Sequence, residues 1–536
     1  MDILKCFSLA AVETFVVARY LGWLINTQVG CILFFAQYLA LKYYRIFLYH
    51  KYFSPLRHLP GPANNHFFFG QFINLFRANS PTGPYIEWMR EHPDAPLIRF
   101  LSFANEEIIM PNSVAAYKDV LQTQCYSFRK ATFWIRLTKS FAGDGLIVME
   151  FDQHRAHRKV LNSFSISKFR TLEPVLKLKA AEVMELFDQA IAENEDGKTG
   201  AVDIIDSISK TTLDIMGIAV LGVDLHSLKN KIDADTEFTF HEAYKIIFAQ
   251  ERLGKALTFI NGYIPTRWVP LKANRRFLFA TSWLDNCLTD LLRKRCFEIK
   301  VAKESGTFKS SGSRDLLTFL AEESMPGGIA DGFKESQLVG HLLQFMLGGH
   351  ETSANAISWS LFIMAKHPEI QSRLREELLN LGDNPQYGDI ERLPYLDNFI
   401  KESLRLYPTA NGINREAAIE VTIEGVKIPK GTHFDMIISA LMRNPLIWGD
   451  DADEVDPTRF DRLSGEQLSP YAYESFSQGP RICIGKTLAM MEMKVILTEL
   501  VRNFQILDSK KEFTLENPSL SLRPNGLEIR FQRIAT

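Results

Sequence analysis

The stretch Phe476-Ser477-Gln478-Gly479-Pro480-Arg481-Ile482-Cys483-Ile484-Gly485 sets one cysteine between two glycines, with an arginine two residues before it. Glycine lets the backbone turn with positive φ and lets a flat ligand come close. A nearby cation and backbone N–H groups lower a thiol pKa and hold it as the anion, the form that binds metals. The stretch therefore reads as a loop that offers a thiolate to a metal. The competing reading is a buried free cysteine acting as a small apolar side chain. A helix expected over residues 487–504 begins at this loop, and its positive end would favour the thiolate.

Composition bounds the rest. The 536 residues are 46% hydrophobic and 12% aromatic, with 39 phenylalanines, enough for a large core around an apolar cavity. A net charge of −2 argues against a nucleic-acid partner. Cys6, Cys31, Cys125, Cys287, Cys296 and Cys483 show neither a C-x-x-C pair nor disulfide-like spacing, which suits a reducing compartment.

Two apolar runs open the chain. Residues 6–25 carry Glu13 and Arg19, and read either as a span or as a helix lying on a membrane surface. Residues 28–48 are the better span, interrupted chiefly by Gln37 and Lys42 and ending in tyrosines. A buried hairpin of the domain is the alternative for both. Lys42, Arg45, Lys51 and Arg57 follow, and such an excess marks the cytoplasmic side. Pro55 and Leu59-Pro60-Gly61-Pro62 then form a stiff break between anchor and domain.

Beyond the break, residues 97–103 and 106–110 alternate as strands do, and 411–426 read as strands around the turn Glu424-Gly425. Helical periodicity covers 151–164, 176–191 and 277–296, with polar loops at 193–200 and 303–314 and His157 on the surface. An acidic start near Asp331 leads into a long helix that stops at His367-Pro368. Inside it lies Gly348-Gly349-His350-Glu351-Thr352-Ser353. Two glycines in mid-helix cost about 1 kcal/mol each. Either the close approach of a flat ligand or tight helix packing compensates. Glu402 and Arg405 sit at i and i+3, on one helix face.

Taken together these motifs resemble the cytochrome P450 family. Phe476, Gly479, Arg481, Cys483 and Gly485 match all five fixed positions of its haem-binding loop, F-x-x-G-x-R-x-C-x-G. At a usage of about one in twenty per position, such a match arises by chance on the order of once in 10⁷ starts. Residues 348–353 match A/G-G-x-D/E-T-T/S completely. Glu402 and Arg405 match E-x-x-R, and residues 457–460 match P-x-R-F. The helix over 151–164 resembles the W-x-x-x-R helix, with Arg158 in place and His154 where tryptophan is common. Histidine also donates to a carboxylate.

The resemblance implies a mainly α fold with a smaller β region. An anchor over 1–54 would precede one catalytic domain over 55–536 around a buried haem b. Cys483 is the implied axial ligand of the iron. Arg481, Arg415, Arg158 and His154 are implied partners of the haem propionates. Phe476, Gly479, Gly485 and Gly349 would shape the haem site. Thr352 would serve the oxygen site and Glu351 a proton relay, with His350 turned away. Glu402, Arg405 and Arg459 would form a buried network with a folding role. Phe133, Trp134, Phe345, Met346, Thr409, Ala410, Asn411, Ile413 and Leu522 would line an apolar substrate pocket. The implied reaction is monooxygenation with O₂ and electrons from a separate NADPH-cytochrome P450 reductase, docked on a basic face that includes Lys486. The implied location is the endoplasmic reticulum membrane, with the domain in the cytosol. In character the chain looks like fungal members that oxidise terpenoid or polyketide metabolites, with a fatty-acid hydroxylase second. From other classes stand an oxygen-independent haem isomerase or dehydratase, against which the Glu351-Thr352 pair argues, and a haem-binding scaffold without turnover.

Overall fold

The computed structural model describes residues 2–534, except 22–26, 230–237, 249, 308–314, 384, 510 and 520. Most of the polar loop expected over 303–314 lies outside the described residues; the helix before it runs Lys272–Glu304.

Everything is arranged around the helix Glu335–Lys366. It is apolar on nearly all sides and accordingly buried along most of its length. Gly332 takes φ +85°, so the helix begins at Glu335 and not near Asp331. The Gln337 side chain accepts the Lys334 N–H at 3.0 Å and closes the first turn. The helix ends at Lys366, and Pro368 opens the next one, Pro368–Leu379. One apolar cluster, with residues from Glu173–Ala192, Ile204–Met216, Pro394–Leu406 and Lys486–Asn503, packs against its C-terminal half. A second, with residues from Thr132–Ala142, Lys272–Glu304 and Leu316–Glu323, packs against its N-terminal half.

The β region stands beside this helical body. Its main sheet has the order Leu97–Leu101, Glu107–Pro111, His433–Ile437, Gly412–Ala417, Phe128–Arg129. Only the contact between Glu107–Pro111 and His433–Ile437 is parallel. Val421–Ile423 and Val426–Ile428 pair around Glu424-Gly425, as the alternation predicts. The polar loop placed at 193–200 is shorter than expected, because Thr199–Asp203 pairs as an edge strand with Glu528–Arg533.

The N-terminal segment forms two helices, Asp2–Leu21 and Thr27–Tyr43, the second continuing with wider turns through Tyr44–Phe53. They pack on each other through the buried Cys6 and Ala10 and a Gln37–Glu13 hydrogen bond, leaving Phe7, Phe15, Ile32 and Phe35 exposed. Among the described residues, Thr27–Phe53 is the one helix long and apolar enough to cross a membrane. Its last turns already belong to the sheet. Arg99 donates to the His50 carbonyl at 2.7 Å, and Asn105 to the Ile46 carbonyl at 2.9 Å. Contact with the domain therefore begins before residue 54, where the sequence places the boundary.

Candidate active site

Cys483 follows a single 3-10 turn, Gly479–Arg481, and precedes the helix Lys486–Asn503. Its N–H donates to the Phe476 carbonyl at 2.8 Å, which closes the loop. Gly479 takes φ +73°, and a Cβ there would lie 2.3 Å from the Leu121 carbonyl oxygen, so no other residue fits. Cys483 is exposed, yet protein atoms crowd its thiol closely enough that burial governs its titration. Burial pushes its thiol pKa up. The N–H groups of Gly485 and Lys486 and the charges of Arg158 and Lys486 pull the other way without prevailing.

The glycine pair of the central helix divides its work. A Cβ on Gly349 would meet the Met216 sulfur at 2.3 Å, so this glycine packs against the helix Ile204–Met216. A Cβ on Gly348 would meet nothing within 4 Å. Gly348, not the expected Gly349, presents bare backbone to open space. His350 turns to the neighbouring helix, 2.8 Å from Ser209 Oγ. Thr352 Oγ1 donates to the Gly348 carbonyl at 2.5 Å. Glu351 is buried and accepts a hydrogen bond from Ser521 Oγ at 2.6 Å. Burial raises its pKa, while Ser521 and Arg523 restrain the rise.

A cationic cluster gathers beside the cysteine loop. Arg481 Nη2 lies 2.5 Å from Glu150 Oε2, and Lys130 Nζ 3.1 Å from Glu150 Oε1. Arg415 is buried, and among the described residues its side chain bonds only the Asn414 carbonyl, at 2.8 Å. Burial lowers the Arg415 pKa to about 10, assisted by repulsion from Arg481. Burial and Arg481 lower Lys130 to about 7. His154 is buried, its Nδ1 has no partner, and burial with the nearby Arg481 and Lys130 lowers it to about 3. Arg481 Nε is likewise buried without a partner. Arg481 and Lys130 thus share the carboxylate of Glu150, with the Arg415 charge nearby. Sequence reading missed Lys130 and Glu150, which lie in no motif.

Arg158 stands apart from this cluster's carboxylate. Its Nη1 donates to the Ile482 carbonyl at 2.7 Å and its Nε to Asn162 at 2.9 Å, bracing the loop just before Cys483. His157, expected on the surface, is buried. It stacks on Phe333 at 3.7 Å and sits 2.9 Å from His341 of the central helix.

The expected polar network is formed. Arg405 makes a bidentate contact to Glu402 at 2.7 and 2.9 Å, and Arg459 reaches the same carboxylate at 3.4 Å. Of the expected pocket residues, Phe133, Trp134, Asn411 and Ile413 line one cleft of about 320 Å³. Met346 has no exposed surface and belongs to the core. Phe345 is partly buried against the same core, and Thr409 and Leu522 are buried, the Leu522 N–H donating to the Thr409 carbonyl at 2.9 Å. Ala410 forms a bridge with Ser521. None of these five lines that cleft.

Known proteins confirm the kinship. The family model for cytochrome P450 matches residues 60–531. Cytochrome P450 monooxygenase sphH of Aspergillus fumigatus is 30% identical over 497 residues, covering 89% of this chain and 87% of that protein. Cytochrome P450 monooxygenase FUM15 of Gibberella moniliformis is 28% identical over 549 residues, covering 90% and 89%. Cytochrome P450 monooxygenase ptmK of Penicillium ochrochloron is 27% identical over 503 residues, covering 90% and 93%. With the signature cysteine loop in place and a family match over nearly the whole domain, this chain belongs to the cytochrome P450 family of monooxygenases.

Proposed function

We propose that the protein is a membrane-anchored haem-thiolate monooxygenase that oxidises a lipophilic metabolite, with Cys483 as the thiolate. The observation that carries this reading is the Cys483 loop, closed on the Phe476 carbonyl and presenting an exposed cysteine beside a surplus of basic side chains. The surplus of charge beside it fits the group. Lys130, Arg415 and Arg481 exceed Glu150 by two positive charges when all are ionised, and a haem b carries two carboxylates. The unpartnered donors on Arg481 and His154 suit the same carboxylates. Arg158 supports the loop, and Phe476, Gly479 and Gly485 shape it. A bound haem supplies oxygen activation, which a thiolate ligand directs toward O–O cleavage. Burial favours the protonated form of Glu351 and Thr352 offers a hydroxyl next to it, an arrangement suited to delivering protons to the open space beside Gly348.

Electrons come, in this reading, from a separate NADPH-cytochrome P450 reductase docking near the exposed Lys486. The apolar part of Thr27–Phe53, ahead of the turns that bond the domain, spans the endoplasmic reticulum membrane, and the cations at its end hold the domain in the cytosol. The kinship with fungal monooxygenases supports a substrate from secondary metabolism, of terpenoid or polyketide origin.

The test is the absorption spectrum of the reduced protein under carbon monoxide, beside Cys483→Ala. The expected result is a strongly red-shifted Soret band that the variant loses entirely. A histidine-type band in both proteins, or no bound haem in either, sinks the proposal.

A further inference from the structure

The cleft has a chemistry that its aromatic walls conceal. One face of the main sheet lines it. Along that face Phe100, Ile108 and Ile437 are apolar, and Tyr85 and Trp88 pack on them. The same alternation then places polar groups there: Glu106, His433, Asp435 and, paired opposite Asp435, Asn414. Ala131 lines the cleft while Lys130 sits in the cationic cluster, and Asn414 lines it while Arg415 sits in the cluster.

The free groups on this wall are acceptors. Asn414 Nδ2 donates to Asp435 Oδ1 at 2.7 Å, which leaves Asn414 Oδ1 buried without a partner. Asn411 Nδ2 donates to the Ser519 carbonyl at 2.7 Å, which leaves Asn411 Oδ1 buried without a partner too. Both amide orientations are thereby set. The second oxygen of Asp435 has no hydrogen-bond partner among the described residues. Charge points the same way. Around the wall stand three carboxylates, Glu106, Glu416 and Asp435, against two cations, Arg129 and a protonated His433. Arg129 is 2.6 Å from Glu416, and His433 is 3.2 Å from Glu106 and 3.6 Å from Glu416. When all five are ionised, one negative charge is left over, on the side of Asp435. Burial raises the pKa of Asp435 and of Glu106, and His433 restrains both rises, so a further cation at this wall would favour the ionised carboxylates.

An occupant that satisfies three acceptors and one negative charge is a primary ammonium, which has three donors and no acceptor. The rings of Tyr85, Phe133, Trp134 and Tyr263 at the same cleft suit a cation and the alkyl chain behind it. Resting on the reading of the protein as a monooxygenase of a lipophilic metabolite, we propose that this cleft receives the substrate, an aminoalkyl amphiphile whose ammonium group binds Asp435, Asn414 and Asn411. The amine stays at the sheet, and the apolar chain runs toward Cys483.

The experiment is calorimetric titration of the haem-loaded protein with three probes of one chain length: dodecylamine, dodecan-1-ol and dodecanoate. Dodecylamine is expected to bind about tenfold more tightly than the alcohol, and dodecanoate most weakly. Asp435→Asn is expected to remove that preference while leaving the alcohol within about twofold. Should Asp435→Asn fold poorly, Glu106→Gln on the same wall is expected to reduce the preference. The Soret band read in the same titration should lack the red shift of an amine on iron. Equal affinity for all probes, a preference that survives Asp435→Asn, or an amine ligating the iron overturns the proposal. Calorimetry needs no turnover, so such a failure leaves the Cys483 test standing, and should the Cys483 test find no bound haem, the same titration is read on the protein as isolated.

Discussion

Glu402→Ala is expected to cost about 3–5 kcal/mol of stability, a large part of the 5–15 kcal/mol typical of a domain. The protein should therefore be recovered mainly unfolded or without haem. Glu402 has no exposed surface, and neither has Arg405. The carboxylate takes two bonds from Arg405, one from Arg459 and one from the Asp456 N–H at 3.0 Å. Arg405 uses its remaining donors on the carbonyls of Met442, Ala452 and Glu454. Those carbonyls cannot neutralise it, so removing Glu402 strands a charge in the core. The network also joins the helix Pro394–Leu406 to the segment around Pro457–Asp461, so its loss uncouples two parts of the chain. Arg459→Ala should be milder. Its contact to Glu402 is long, and Asp451 and the Trp448 carbonyl hold it independently at 2.9 and 3.0 Å. Denaturant unfolding of the three proteins measures this. An unchanged Glu402→Ala midpoint would show that the network contributes nothing.

That network was legible because two of its members are local. The i, i+3 spacing of Glu402 and Arg405 places them together on any helix, and a motif supplies Arg459. Lys130 and Glu150 had no such signal. They come from different segments and meet only when the chain packs around Arg481. The two histidines of the helix Phe151–Lys168 carried a signal that was overlooked. His154, His157, Leu161 and Phe164 follow the spacing of one helix face, and all four are buried. Reading that helix by composition, as a basic one, put His157 on the wrong side. The glycine pair shows the limit of motifs. Its match foretold a close approach in mid-helix, but only the position of Met216 decides which glycine is filled against protein and which faces space. The sheet face of the cleft was readable as strands, yet its function depended on which acceptors end without partners, a property of packing alone.

Glu351→Gln is expected to lower product formed per NADPH consumed by about tenfold or more, the range in which general acids act. Electron uptake should continue and be lost to reduced oxygen species. The reasoning starts from the order of the hydrogen bonds. Asn355 Nδ2 donates to Ser521 Oγ at 3.1 Å, which turns the Ser521 hydroxyl to donate to Glu351 at 2.6 Å. The carboxyl is thus held by an oriented donor one residue before Thr352. Burial raises its pKa, so it retains a proton to higher pH than an exposed glutamate does, and a group that retains a proton there is able to give one. The Ser521 bond favours the ionised form and restrains that rise. Ser521→Ala should therefore raise the Glu351 pKa further. Because the acid works in its protonated form, the alkaline limb of the coupling profile must then move to higher pH, and Ser521→Thr, which keeps the hydroxyl, should restore it. A merely structural Ser521 would lower activity at every pH and leave the limb in place. A Glu351→Gln protein with wild-type coupling across the profile would remove Glu351 from the relay and leave the hydroxyl of Thr352 to act without it.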